Sequence, residues 1–84
     1  MTEYRLSQHA LEALEKRQIK REWLERALES PETREPDRAD SNLEHRLVRI
    51  PEFGNRLLRL VVNSTAQPVF VVTIFFDRRQ KEDK

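Results

Sequence analysis

The chain has 84 residues, 37% of them apolar and 37% charged. That describes one small domain with a thin core, able to bury only about 60–65% of the surface its unfolded chain exposes. The net charge is +1 and there is no cysteine. A disulfide framework, a thiolate metal site and a cysteine nucleophile are therefore excluded, and the even charge argues against a tight non-specific nucleic-acid binder.

"MTEYRLSQHALE" is too interrupted by charge to be a signal peptide. The longest apolar run, "PVFVVTIFF", is far short of the roughly 20 residues of a spanning helix. The expected location is the cytoplasm. The total charge hides an asymmetry: residues 1–44 hold 8 basic and 11 acidic side chains (−3), residues 45–84 hold 8 and 4 (+4). A basic half can form a patch for an anionic partner, although charged sheet edges that discourage aggregation are the commoner reason for one.

Ser7 is a favoured N-cap, with Leu6 and Leu11 at the hydrophobic-staple positions around it. Ala10, Leu11 and Leu14 continue an apolar helical stripe. A second helix is expected over residues 21–29, with Trp23, Leu24, Ala27 and Leu28 inward, ended before Pro31. Residues 30–44 are polar and hold two prolines; they read as a loop with room for one short polar edge strand. "HRLVRI" alternates as a strand, "PEFGN" turns the chain with Gly54 and Asn55, and "RLLRLVVN" is the next strand. Val69–Phe76 is apolar on both faces apart from Thr73, which predicts a central strand. Residues 80–84 read as a solvated tail. The expected fold class is α+β: two N-terminal helices packed on one face of an antiparallel sheet of three to four strands.

No glycine-rich phosphate loop is possible with a single glycine, and neither histidine has metal-ligand spacing. No metal or other cofactor is implied. What remains is histidine with arginine and lysine. His9 stands near the positive end of the first helix dipole, which suits a neutral imidazole acting as a base. Lys16 and Arg17, seven and eight residues on, lie close to the same helix face. His45, Arg49 and Arg59 come from adjacent strands, His45 and Arg49 on one side of the sheet by parity. Such groups can cleave RNA without a metal: the substrate's 2′-hydroxyl attacks, one group moves the proton and cations stabilise the charge on phosphorus. Helix capping or core cover is the commoner role of a first-turn histidine, and strand arginines most often serve solubility.

Ser7, His9, Ala10, Arg17 and Ile19 together resemble the start of an uncharacterised bacterial domain family reading S-x-H-A-x-x-R-x-x-x-R-G-I. Its later apolar "VVT" is matched by Val71, Val72 and Thr73, so the resemblance covers about residues 6–79. That family is similar to RelE/ParE-type and BrnT-type toxins of bacterial toxin–antitoxin pairs. The resemblance implies a toxin-like ribonuclease with RNA and an antitoxin protein as partners; on the residues above, His9 and Arg17 are then expected to be catalytic and Lys16, His45, Arg49 and Arg59 to bind phosphate. Two positions depart from the pattern: Ala13 stands for the first arginine and Gln18 for the glycine. The departures allow a degenerate copy, and the alternative is a non-catalytic interaction module or homodimer.

Overall fold

The computed structural model describes residues 3–77; the expected tail at 80–84 lies outside them. The chain opens with a strand that the residue pattern did not reveal, β1 (Tyr4–Leu6), followed by helices α1 (Gln8–Arg17) and α2 (Arg21–Glu29). Four more strands follow: β2 (Thr33–Pro36), β3 (Leu43–Ile50), β4 (Arg56–Asn63) and β5 (Val69–Phe76). A single 3-10 turn, Pro51–Phe53, joins β3 to β4 through Gly54 and Asn55, both at positive φ.

Ser7 caps α1 as its spacing predicts, its Oγ accepting from the Ala10 amide. The same hydroxyl donates to the Val72 carbonyl, and the Ser7 amide donates to Val71, so the cap also bolts the helix to β5. Gln18 ends α1 in the left-handed conformation (φ 54°), the place where helices most often use glycine. α2 has no side-chain cap at Lys20. At its other end the Leu28 carbonyl accepts from the buried guanidinium of Arg46 on β3.

The sheet has five strands in the order β1-β5-β4-β3-β2. β1 pairs parallel with β5, and every other pair is antiparallel. This corrects the expected three to four antiparallel strands by one: β2 is the short polar edge strand that residues 30–44 had room for, and the parallel β1 is the addition, too short to show a period. β4 is the middle strand of the five, and Val69–Phe76 is an inner strand only over Val69–Val71, where β1 covers it. The rest of that edge has no neighbour among the described residues.

One bulge shapes β5. Val62 pairs with Val71 but Val61 pairs with Thr73, leaving Val72 unpaired. The extra residue resets the strand's period, so Val71 and Ile74, three apart, both face the core and are fully buried. Ala10, Leu14, Trp23, Leu24, Ala27 and Leu28 of the helices close on Val48, Ile50, Leu58, Leu60, Val62, Val71 and Ile74 of the sheet. Both helices thus pack on one sheet face.

Candidate functional site

The Ser7 bolt sets α1 alongside the uncovered half of β5. Between them runs a groove of about 350 Å³, lined by His9, Glu12, Ala13, Lys16 and Arg17 of the helix and Thr73, Ile74 and Phe75 of the strand. His9, Lys16 and Arg17 are exposed. Among the described residues none of the three makes a hydrogen bond or ion pair, and Glu12 accepts only from Gln8 at 3.3 Å. Ser7, not His9, therefore does the capping. The strand side contributes backbone groups. The Asp77 amide donates to the Leu57 carbonyl, so ladder alternation turns Thr73 and Phe75 toward β4 and the amides of Ile74 and Phe76 outward. The groove thus offers an imidazole, two cations and an outward amide donor.

His45 and Arg59 belong to a second cluster on the opposite sheet face. Asp37 Oδ1 lies 2.7 Å from His45 Nε2, and His45 Nδ1 lies 2.7 Å from Arg59 Nη1. Arg59 grips Asp77 through Nε (2.8 Å) and Nη2 (2.6 Å), and reaches Glu35 at 3.5 Å. The Arg59 side chain is 5% exposed and that of Asp77 2%. Asp37 Oδ2 accepts from the amides of Ala39 and Asp40. The His45 hydrogen bond first, then those amides, hold the Asp37 carboxyl below its usual range. A cleft of about 590 Å³ opens over the cluster, between Glu35–Ala39 and the pair His45 and Arg59.

The structure thus divides the six residues singled out from the sequence. His9, Lys16 and Arg17 share the α1–β5 groove. His45 and Arg59 share the buried ionic chain, where their polar atoms are spent on internal partners. Arg49 is at neither place; its guanidinium donates to the Asn55 carbonyl at 3.2 Å. Glu35, Asp37 and Asp77, which complete the second cluster, carried no local sequence signal, because the β2–β3–β4–β5 register that brings them together is a long-range property. Among the described residues no group of three or more His, Asp or Glu side chains is arranged to hold a metal ion, and no helix is long and apolar enough to cross a membrane.

The family model of a domain of unknown function, DUF4258, matches residues 6–76. The chain belongs to the DUF4258 family. No curated protein and no solved structure matches it. The DUF4258 match runs from the last residue of β1 to the last residue of β5. It therefore takes in Ser7, His9 and both walls of the groove, together with all of the buried ionic chain except Asp77.

Proposed function

We propose that the chain is a toxin-like, metal-independent ribonuclease in which the α1–β5 groove holds an RNA phosphate. The observation that carries this reading is the presence of three unpartnered groups, His9, Lys16 and Arg17, around one groove. All three are left open to solvent beside an outward backbone amide. The helix–helix–sheet order and the resemblance to RelE/ParE-type and BrnT-type toxins support the same reading.

In this scheme the 2′-hydroxyl attacks phosphorus, the bond to the 5′-oxygen breaks, and a 2′,3′-cyclic phosphate and a 5′-hydroxyl result. His9 takes the 2′ proton, a role that contributes about 10²–10⁴-fold when a base is positioned. Lys16, Arg17 and the Ile74 amide stabilise the charge building on the equatorial oxygens, and solvent in the open groove supplies the proton to the leaving oxygen. Its predicted partners are RNA and an inhibitory antitoxin protein.

Ala13 supports a second reading. It stands where the family pattern has arginine, and it lines the groove, so this chain has one cation fewer there and suits a non-catalytic partner-binding role. Incubation of the protein with end-labelled RNA in EDTA separates the two. Cleavage by the wild type and none by His9→Gln supports the ribonuclease; intact RNA with both proteins overturns it in favour of the partner-binding module. Salt dependence is a second measure, since phosphate contacts make affinity fall steeply as salt rises and an apolar protein interface responds little.

A further inference from the structure

At the C-terminal end of the groove three rings pack together. Trp23 lies 5.2 Å from Phe53, Phe53 5.1 Å from Phe76, and Trp23 6.2 Å from Phe76. Trp23 is buried and Phe76 half-buried, but Phe53 is 37% exposed, and no other large apolar residue among those described is left so open. Its place is fixed by Pro51 at the start of the 3-10 turn and by Gly54 at φ 66° after it, so the ring is presented on a rigid mount.

Two cations sit over this cluster. The Arg56 guanidinium is 4.7 Å from the Phe76 ring and 5.4 Å from that of Phe53; Lys20 Nζ is 5.7 Å from Trp23. Neither makes an ion pair among the described residues. Glu52, the carboxylate nearest to Arg56 in sequence, is already held by Arg26 at 2.9 and 3.2 Å. In sequence the patch adjoins the groove: Lys20 follows Arg17 by three residues and Phe76 follows Phe75.

We infer that Phe53 and Arg56 form a stacking platform for one base of a single-stranded RNA whose backbone continues into the α1–β5 groove. This deepens the ribonuclease reading and rests on it. An exposed aromatic ring flanked by unpaired cations fits a ligand that alternates flat bases with negative phosphates. Bases stack on aromatic rings and guanidinium planes alike, and Lys20 and Arg56 stand where flanking phosphates pass. A protein partner would need acidic groups at both cations.

The test uses a short 2′-O-methyl RNA carrying one 2-aminopurine, which cannot be cut through its 2′ position and whose fluorescence falls when it stacks. Wild type should bind and quench it. Phe53→Leu keeps the apolar bulk but loses the aromatic face. It should weaken binding by about 5- to 150-fold, the equivalent of the ~1–3 kcal/mol of a base–aromatic stack, and abolish quenching, with the salt slope unchanged. Phe53→Tyr should retain both. Arg56→Gln should lower the salt slope by about 0.7, one single-strand phosphate contact; it carries the test if Phe53→Leu does not fold. Wild-type binding and quenching in Phe53→Leu would overturn the platform alone. Absence of wild-type binding at low salt would overturn the platform and the RNA reading together.

Discussion

Arg59 decides which nitrogen of His45 carries the proton. Its Nη1 lies 2.7 Å from His45 Nδ1, and a guanidinium can only donate, so Nδ1 is the acceptor. Nε2 then bears the hydrogen and donates it to Asp37 at 2.7 Å. With both ring nitrogens engaged, His45 has no lone pair left for a substrate proton, whereas both nitrogens of His9 are open to solvent.

Removing Arg59 should therefore be costly to the fold. Arg59→Met takes the guanidinium from Asp77, His45 and Glu35 at once and leaves the Asp77 carboxylate, 2% exposed, facing an apolar side chain. Breaking one side of a buried ion pair costs about 3–5 kcal/mol. A urea titration should show that loss as a lower midpoint at unchanged slope. A loss below about 1 kcal/mol would mean that the chain of contacts stores little stability.

Acid should weaken the protein through two carboxylates. The Arg26 guanidinium beside it, hydrogen-bonded to it, holds Glu52 at about 2, against an ordinary 4.5, and the His45 hydrogen bond with two amides lowers Asp37 from its ordinary 3.8. Both folded values lie below the unfolded ones, so their contribution is present above the unfolded values and is lost as pH falls toward the folded ones. For Glu52 that window runs from 4.5 down to about 2. Stability measured by urea from pH 6 to pH 2 should decline through it, and Arg26→Gln should flatten the part that belongs to Glu52. Identical acid limbs for wild type and Arg26→Gln would remove Glu52 from the account.

Local signals carried the helices into view. Ser7, the Leu6 and Leu11 staple and the apolar stripe all act within two turns, and that is where the structure has α1. The three long strands were visible for the same reason. β1 was not, because three residues holding Tyr4, Arg5 and Leu6 have no period and pair only with distant Val69–Val71. The bulge at Val72 was equally hidden: an apolar-on-both-faces run looks central, whereas here a shifted period accounts for much of that pattern. The site followed the same rule. His9, Lys16 and Arg17 share a helix face that spacing reveals. The link from Asp37 through His45 and Arg59 to Asp77 depends on strand register, which no local pattern encodes.

The S-x-H segment can be split by mutation into its two roles. Ser7→Ala removes both the α1 cap and the bond to the Val72 carbonyl, and should cost about 1–2 kcal/mol. His9→Gln touches an exposed side chain with no hydrogen bond and should change stability by less than about 0.5 kcal/mol while abolishing RNA cleavage. Thermal melts of the two variants, side by side, test the assignment; a large loss in His9→Gln would return His9 to a structural role.

Gln18 stands where the resemblance drawn from the sequence places a glycine, and its backbone gives a physical reason for a glycine there. It holds φ 54° at the end of α1, a conformation that strains a residue with a Cβ and that glycine adopts freely. Gln18→Gly should stabilise the protein by about 0.5–1 kcal/mol, the relief of strain outweighing the added freedom of the unfolded chain. Its RNA cleavage should match the wild type. Destabilisation in a chemical melt would show that Gln18 makes up its strain through another interaction.

Ala13, where the same resemblance places an arginine, bears directly on the groove. It is 8% exposed and packs in the core cluster, yet it also lines the groove with His9, Lys16 and Arg17. An arginine there can run its methylenes past Thr73 and Phe75 and bring the guanidinium to the groove mouth. Ala13→Arg should raise the salt slope of RNA binding by about 0.7 and increase cleavage, at an overpacking cost of about 1–3 kcal/mol. The two effects are separable because one is read from binding and rate and the other from a melt. A loss of stability with no change in slope or rate would mean that Ala13 has no bearing on whether this chain cuts RNA.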